Sequence, residues 1–325
     1  MRRYLRLARP FTLLPPLLGI VSGAVCAFGS AHNPDPARRM TGAVLLTIAI
    51  GSLCASAMNA ASNIVNQIAD LEIDRKNKPG RPLVTGEIAI PGAWTAAALL
   101  YLVALLPTWL VVPYPYTSFQ QRLSAPTSLH AAFFIYCLGA LATFVYSFPA
   151  FGRTKRHWLA ANVTIAVTRG GLLKVAGWAF VASVTVWEAW AIGGIFALFL
   201  LGTTSTKDFS DMEGDRAHGC VTLPIRFGVP RAAKMIAPFF VFPWLLIPLF
   251  AFLPDPGHSS TTLLTGNRTL LTVLGLALAA WGAYAARLLL SNPEDLARTE
   301  NHPAWTHMYL LMMSAQGGFA LAYVV

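Results

Sequence analysis

The sequence predicts an all-α, polytopic membrane protein: a bundle of nine transmembrane helices around a central cavity. Of its 325 residues, 55% are hydrophobic and only 12% are charged, whereas soluble domains carry about 25% charged residues. Its mean hydropathy is +0.56. The chain also contains nine apolar runs, each near the roughly 20 residues that a spanning helix needs, and its basic residues are divided unevenly among the connections between them.

The nine predicted spans alternate with polar connections along the whole chain, which we interpret as one domain, 1–325. An Arg-rich N-terminus precedes the first apolar run and resembles a signal peptide. No clear small-x-small cleavage site follows, so we interpret this run as the first membrane helix. The predicted spans are 11–29, 42–66, 92–112, 129–147, 159–182, 187–206, 233–252, 269–290 and 304–325.

The distribution of Lys and Arg predicts the orientation. With a cytoplasmic N-terminus, 18 of the 24 basic residues fall in the N-terminal arm and the cytoplasmic connections. Four fall on the other side and two within the fifth span. Cytoplasmic loops of membrane proteins carry this excess, so we expect the C-terminus on the opposite side. The net charge of +10 is thereby explained without nucleic-acid binding, for which no basic stripe with interleaved aromatics is present.

Two of the predicted cytoplasmic connections share the pattern D-x-E-x-D-R. The first motif runs from Asn66 to Arg75 and the second from Lys207 to Arg216, 141 residues later. Such a repeat is typical of membrane proteins with two related halves that place equivalent groups at one cavity. We therefore expect halves of approximately 1–147 and 148–325. Seven of the 14 acidic residues lie in these two short stretches, which argues against ordinary solvated loops.

The spacing within the motifs predicts a metal site. If each helix continues through its motif, ligand candidates four residues apart lie about 6 Å from one another on one face, whereas Glu72 and Glu213 point elsewhere. Mg²⁺ suits such oxygen ligands because it is usually held by one or two carboxylates together with substrate phosphates and water. We expect Mg²⁺ as the cofactor. The candidate ligands are Asn66, Asp70, Asp74, Asp208, Asp211 and Asp215.

Basic residues near the motifs predict an anionic ligand. Two carboxylate clusters with basic neighbours fit a diphosphate bridged by two or more ions, and Lys and Arg side chains complete its neutralisation. These candidates for diphosphate binding are Lys78, Arg81, Arg153, Lys155 and Lys207.

At this point the sequence resembles the UbiA-type intramembrane prenyltransferases. The stretch N-Q-I-A-D-L-E-I-D-R-K-N-K-P-G-R-P-L-V-T is similar to their first Asp-rich motif, and K-D-F-S-D-M-E-G-D-R followed by A-H-G-C-V-T-L-P is similar to their second. Arg9-Pro10 and Tyr146-Ser147 also resemble family positions. One departure is Gln67, where many members have Asp, and the Asn-Gln form resembles homogentisate-type members.

The resemblance implies transfer of an isoprenoid chain from a prenyl diphosphate to an acceptor within the bilayer. Mg²⁺ and the basic residues would stabilise the departing diphosphate, leaving an allylic carbocation that apolar helices protect from water. Asp70, Asp74, Asp211 and Asp215 would be the catalytic residues. Arg9, Tyr146, Ser147 and Arg169 would bind substrate.

The resemblance leaves two classes of acceptor possible, each used by a different branch of the family. The D-M-E-G-D-R, Y-S-F-P and T-R-G-G-L stretches look most like branches that use homogentisate, 4-hydroxybenzoate or related phenols. The branch that alkylates a prenylated glycerol phosphate is the alternative. A terpene cyclase of the same fold and a transporter are the remaining hypotheses, and a transporter would hold its coupling ions near the midplane of the membrane.

Arg169 and Lys174 fall inside the fifth predicted span, where a charge is costly and normally faces a cavity or a partner. Arg169 is expected either to balance backbone carbonyls or a motif Asp, or to reach the diphosphate or an acceptor carboxylate. Lys174 is expected to extend toward the far side of the membrane. His130, His157, His218, His302 and His307 have no convincing metal-ligand spacing.

Overall fold

Nearly all regular secondary structure in this protein is helical. The computed structural model describes residues 2–299 and 302–325, with the side chains of Phe11 and Asn77 left out. The helices before residue 150 are α1 (Arg2–Ala8), α2 (Leu14–Gly29), α3 (Gly42–Ala69), α4 (Leu71–Asn77), α5 (Ile90–Leu105), α6 (Phe119–Leu123) and α7 (Ala131–Ser147). The later helices are α8 (Trp158–Ile165), α9 (Leu173–Trp178), α10 (Trp187–Thr203), α11 (Met212–Ala217), α12 (Leu223–Phe227), α13 (Val229–Ile236), α14 (Phe242–Phe252), α15 (Arg268–Ser291), α16 (Pro293–Arg298) and α17 (Pro303–Val324).

Shorter helical segments join several of these helices end to end. Helices α8 and α9 continue one another through a π-helical segment, Ala166–Leu172. The 3₁₀ segments are Pro10–Leu13, Leu106–Leu110, Thr127–Leu129, Pro149–Phe151, Thr154–Arg156, Thr204–Lys207 and Ala237–Phe240. A small antiparallel hairpin, β1 (Pro254–Asp255) and β2 (His258–Thr262), connects α14 to α15.

The helical membrane architecture is confirmed, but the count of nine spans is not. Within the described residues, six helical stretches are long and apolar enough to cross a membrane. They are Gly42–Ala69, Ile90–Leu110, Trp158–Trp178, Trp187–Lys207, Val229–Phe252 and Arg268–Ser291. Helices α2 and α7 are apolar but shorter. Helix α17 occupies the ninth predicted position and has 22 residues, but it is not among these six stretches.

The bundle packs closely where glycines face one another. A Cβ atom added to Gly23 in α2 would lie 2.5 Å from the Lys174 carbonyl oxygen, and one added to Gly177 in α9 would lie 2.2 Å from the Ile20 oxygen. These glycines let the backbones of α2 and α9 meet directly, which is a common way to join helices in membranes.

Three amide side chains on one face of α3 hold the N-terminal segment. Asn59 Nδ2 donates to the Thr12 oxygen at 2.8 Å, Asn63 Nδ2 to the Ala8 oxygen at 3.0 Å, and Gln67 Nε2 to the Leu7 oxygen at 2.7 Å. We call Asn59, Asn63 and Gln67 the amide ladder. It satisfies carbonyl groups left open where α1 ends and the chain turns into α2. The ladder therefore fixes the backbone on both sides of Arg9.

Lys174 does not extend to the far side, and that expectation is wrong. Its side chain is buried among the helices, with 2% of the residue exposed. The ammonium nitrogen lies 4.2 Å from the centre of the Phe196 ring, a cation–π contact that replaces part of the lost hydration.

Candidate functional site

Each Asp-rich motif has an Asp in non-helical geometry immediately before a short helix. In the first motif a single residue separates two helices, and in the second a turn, 208–211, separates the 3₁₀ segment Thr204–Lys207 from α11. Helix α3 ends at Ala69, and Asp70 leaves helical geometry (φ −105°, ψ 12°) before α4 begins. Asp211 has nearly the same conformation (φ −100°, ψ 4°) before α11. The expectation of unbroken helices is therefore wrong at these two positions. The four-residue spacing survives, because the Asp74 amide donates to the Asp70 oxygen at 2.8 Å and the Asp215 amide to the Asp211 oxygen at 3.1 Å.

The two motifs, far apart in sequence, lie side by side. Helices α4 and α11 are in contact. Lys78 Nζ in the first motif region lies 3.6 Å from Asp211 Oδ1 in the second, and Lys76 Nζ lies 3.0 Å from Glu213 Oε1. Glu72 and Glu213 are exposed and paired with basic residues at the rim. The structure thus gathers the acidic clusters at one end of the bundle.

Asp70 is surrounded by the basic loop between α7 and α8. Its Oδ1 atom forms an ion pair with Lys155 and lies 3.5 Å from Arg153 Nη2. Burial lowers the pKa of Lys155 to about 8. Arg153 has a φ of 41°, a left-handed conformation that is costly for a side chain other than Gly and that is often found at functional sites.

Asp74 is paired with Arg81 and is 5% exposed. Burial raises the pKa of Asp74, and the Arg81 charge opposes that shift. Arg9 completes this group. Burial lowers the pKa of the Arg9 guanidinium, and the nearby charges of Arg81 and Arg169 lower it further. Arg9 also has a positive φ of 56°, a conformation that the amide ladder helps to hold.

Carboxyl groups of the second motif crowd one another. Burial raises the pKa of Asp208 to about 8, with further contributions from Asp215 and Asp211. Burial and the Asp211 charge raise the pKa of Asp215 to about 6, against the opposing effect of Lys155. Carboxylates that repel one another favour the binding of a cation.

The remaining predicted substrate residues lie near residues of the two motifs or near Arg9. Ser147 Oγ donates to Asn66 Oδ1 at 3.3 Å, which connects α7 to the first motif. Tyr146 lies within electrostatic reach of Asp208 and Arg169. Arg169 is exposed although it sits mid-span in the π-helical segment. The Arg169 charge also contributes to the lowered pKa of Arg9, so these two side chains lie near each other.

Two residues of α17 belong to this neighbourhood and were missed by the sequence analysis. Lys207 Nζ lies 5.6 Å from the centre of the Trp305 ring, and Tyr309 acts electrostatically on Arg9. Trp305 and Tyr309 pack edge to face, with their ring centres 4.8 Å apart and their ring planes inclined by 64°. Their spacing of four residues puts them on one helical face, but nothing in the sequence connects that face to the motifs.

The donor set fits Mg²⁺. In the described part of the chain, no three motif carboxylates have ligand atoms that all lie within 4.8 Å of one another. Mg²⁺ requires no such cage, because it keeps several waters and combines one or two carboxylates with substrate phosphates. Separate oxygen ligands facing a shared space, with Lys and Arg between them, fit ions that are bridged by a diphosphate.

Comparison with known proteins decides the family. The model of the UbiA prenyltransferase family matches residues 14–312. The chain belongs to the UbiA prenyltransferase family. The resemblance drawn from the two motifs is therefore confirmed, and the chain is an integral multi-pass membrane protein.

Relatives within the UbiA family act on different acceptors. The chain is 30% identical over 223 residues to a probable homogentisate phytyltransferase 2 of Oryza sativa, covering 67% of this chain and 54% of the relative. It is 24% identical to a digeranylgeranylglyceryl phosphate synthase of Methanobrevibacter smithii, covering 73% of each. The chain thus spans about half the length of the plant protein.

Solved structures of the family share the fold. A UbiA homolog from Archaeoglobus fulgidus, solved with GPP and Mg²⁺ bound, superposes with a TM-score of 0.65 over 98% of this chain and 99% of that chain. Its sequence identity is 20%. This similarity supports the arrangement of the helices around the motifs.

Proposed function

We propose that this protein transfers an isoprenoid chain from a prenyl diphosphate to a membrane-accessible acceptor, with Mg²⁺ as the cofactor. One observation carries the proposal. The carboxylates of the two motifs lie at the same end of the bundle, interleaved with basic side chains from three different parts of the chain. This arrangement suits a metal-complexed diphosphate, and the family and its GPP-bound and Mg²⁺-bound relative support it.

The proposed mechanism begins with departure of the diphosphate. Asp70, Asp74, Asp208, Asp211 and Asp215, with Asn66, would hold the ions. Bound Mg²⁺ supplies electrostatic stabilisation of the negative charge that develops on the leaving oxygen. Lys78, Arg81, Arg153, Lys155 and Lys207 would share this charge through hydrogen bonds to the diphosphate.

The carbon–oxygen bond of the allylic diphosphate then breaks, and the acceptor attacks the resulting carbocation and loses a proton. Arg9, Tyr146, Ser147 and Arg169 would position the two substrates, because they lie near residues of the two motifs or near one another. Exclusion of water by those helices protects the carbocation from hydrolysis.

The acceptor we propose is aromatic, of the homogentisate or 4-hydroxybenzoate type. The Oryza sativa relative supports this choice, as does a 2-acylphloroglucinol 4-prenyltransferase of Humulus lupulus that is 30% identical over 227 residues. A prenylated glycerol phosphate is the second candidate, supported by the Methanobrevibacter smithii relative. A terpene cyclase would release a product without any acceptor.

A cytoplasmic location for the N-terminus and both motifs also belongs to the proposal, supported by the 18 basic residues expected on that side and the positive-inside rule. The matching helix interruptions at Asp70 and Asp211 support two related halves, 1–147 and 148–325. These interruptions lie at helix ends, whereas coupling-ion sites of transporters lie near the midplane.

The test uses purified, full-length protein with Mg²⁺ and allylic diphosphates of several chain lengths. The acceptor panel contains homogentisate, 4-hydroxybenzoate and geranylgeranylglyceryl phosphate. Prenylated product and released diphosphate are measured together, so that transfer, cyclisation and simple hydrolysis give different results. We expect one acceptor class to be alkylated in proportion to the diphosphate released.

Matched variants separate the proposed ligands from their neighbours. Asp70→Asn and Asp211→Asn should reduce turnover at least about 100-fold. Glu72→Gln and Glu213→Gln alter the same motifs at exposed positions and should retain activity. If no acceptor is alkylated, and if Asp70→Asn and Asp211→Asn leave diphosphate binding unchanged, the proposed function is wrong.

Arg169 has its own test. Arg169→Ala should raise KM for carboxylated acceptors more than for decarboxylated analogues if the guanidinium binds the carboxylate. An equal loss for both acceptor classes would assign Arg169 to the diphosphate or to packing instead.

A further inference from the structure

A second cluster of potential metal ligands lies far from the Asp-rich motifs. It joins His32, in the loop after α2, to Asp255 and His258 of the β1–β2 hairpin. Helix α10 and its 3₁₀ extension separate the two regions. This stretch, Trp187–Lys207, is 21 residues long and spans about 30 Å at 1.5 Å per residue. Glu188, near the cluster, is at its first end, and Asp208 follows its last residue.

The hairpin turn puts two of the ligands opposite each other. Asp255 and His258 are paired across the strands, with only Pro256 and Gly257 between them. The Gly257 amide donates to Asp255 Oδ1 at 2.7 Å. That bond orients the carboxylate and leaves its other oxygen, Oδ2, directed at the two imidazoles.

The distances suit metal coordination better than hydrogen bonding. His32 Nε2 lies 3.4 Å from Asp255 Oδ2, and His258 Nδ1 lies 3.8 Å from the same oxygen. One ligand atom from each residue lies within 4.8 Å of the others. Bonds of about 2.0–2.2 Å to a tetrahedral Zn²⁺ place neighbouring ligand atoms about 3.3–3.6 Å apart.

Two of these atoms are buried and lack a hydrogen-bond partner. Asp255 Oδ2 and His32 Nε2 are both in this state. The Asp255 side chain is fully buried and that of His32 is 10% exposed. Burying polar groups without a hydrogen-bond partner destabilises the fold, so an ion bound between these two atoms would offset that cost.

We propose that His32, Asp255 and His258 bind a divalent metal ion such as Zn²⁺. Two imidazoles and one carboxylate form a borderline ligand set that favours Zn²⁺ and Co²⁺ over Mg²⁺ and Ca²⁺. The His258 side chain is 58% exposed, which leaves the solvent side open for a water molecule as fourth ligand.

Surrounding groups support the site from within the bundle. The His32 amide donates to Ser30 Oγ at 3.0 Å, and Ser30 Oγ donates to Glu188 Oε2 at 2.5 Å. Glu188 also accepts from Thr265 and Tyr323, and its Oε2 lies 3.9 Å from His32 Nε2. Glu188 therefore holds carboxyl oxygens in fixed positions beside the ligands, and such outer groups tune metal sites.

The bound ion would connect distant parts of the chain. His32 follows the first long helix, whereas Asp255 and His258 lie more than 220 residues later, between α14 and α15. A metal bond between them would fasten the hairpin to the α2 end. The role is therefore structural and separate from the proposed diphosphate chemistry.

The experiment is a Zn²⁺ titration of tag-free, full-length protein, with Mg²⁺ kept in excess so that the Asp-rich motifs do not compete. We expect one Zn²⁺ per chain. Co²⁺ should bind competitively and give the visible absorption of a four-coordinate nitrogen and oxygen site. His258→Gln, His32→Asn and Asp255→Asn should each weaken Zn²⁺ binding by at least about tenfold.

Controls keep the result decisive. His258→Gln changes an exposed side chain, so this variant should fold even if the variants at buried positions are unstable. The check is that His258→Gln and the wild type have the same elution profile in size-exclusion chromatography and the same rate of prenyl transfer. His157→Gln removes an exposed imidazole elsewhere and should bind Zn²⁺ as the wild type does. If wild type and His258→Gln bind Zn²⁺ equally, or if the wild type binds none, the proposal is wrong.

Discussion

Gly170 and Gly171 are neighbours in the π-helical segment that carries Arg169, and the same substitution should affect them in opposite ways. A Cβ atom at Gly170 would lie 2.5 Å from Ala197 Cα and 2.7 Å from the Phe196 oxygen, both backbone atoms of α10. A Cβ at Gly171 would meet nothing closer than 3.6 Å. Gly170→Ala therefore pushes against backbone, whereas Gly171→Ala fits.

The size of the effect follows from these contacts. Ordinary van der Waals contact begins at 3.4 Å, whereas the added Cβ would lie 2.5 Å from Ala197 Cα. The π-helical segment and α10 would therefore have to separate by about 0.9 Å near Gly170. Overpacking of this kind typically costs about 1–3 kcal/mol. Gly→Ala in a helix gains up to about 1 kcal/mol from propensity at either position. The free energies of unfolding of the two variants should thus differ by about 1–3 kcal/mol, with Gly170→Ala less stable than the wild type.

The activity should separate the variants further, because Arg169 is the residue before Gly170. A displacement of about 1 Å in a positioning group can reduce turnover about 100-fold. Thermal unfolding in one detergent and kcat/KM for prenyl transfer are the two measurements. If Gly170→Ala and Gly171→Ala are equally stable and within about twofold in kcat/KM, the packing argument for this segment is wrong.

Three further predictions concern the N-terminal segment, the orientation and the metal. Gln67→Leu should lower the free energy of unfolding, measured by chemical denaturation, by about 1–3 kcal/mol. The reason is that the Leu7 carbonyl loses the hydrogen bond from the Gln67 side chain. Unchanged stability would show that α3 does not hold this segment. In inside-out vesicles, Glu72→Cys should react with a membrane-impermeant maleimide and Ser259→Cys should not, in a background lacking the four native cysteines; the reverse pattern would invert the proposed orientation. Chelation with EDTA should abolish prenyl transfer and excess Mg²⁺ should restore it, whereas activity that persists in EDTA would contradict the Mg²⁺ proposal.

The positions of the helices followed well from the sequence. The predicted span 42–66 corresponds to α3, Gly42–Ala69, because long apolar runs with polar ends leave the backbone few alternatives in a membrane. The interruption at Asp70 did not follow, since a single residue with altered φ and ψ leaves the four-residue spacing unchanged. The π-helical segment Ala166–Leu172 did not follow from the sequence either.

Contacts between distant residues were harder to predict. Lys174 was expected to reach solvent, but its cation–π contact with Phe196 depends on how α9 packs against α10. The His32–Asp255–His258 cluster was missed because only the D-P-G-H turn is local, while His32 lies far away in the sequence. Gln67, at the position where many family members have Asp, is buried, and its side-chain amide donates to the Leu7 backbone oxygen.

The interleaving of acidic and basic side chains at the motifs leaves the protein near electrical balance there. Five Asp side chains, of which Asp208 and Asp215 have raised pKa values, lie among six Lys or Arg side chains, including Arg9. Binding of either a free metal ion or a free diphosphate would disturb this balance of charge. When both bind, the positive charge of the ions and the negative charge of the diphosphate nearly cancel. Each should therefore raise the affinity for the other by the same factor. We expect the protein to discriminate against uncomplexed pyrophosphate and to release the product diphosphate together with its bound ions.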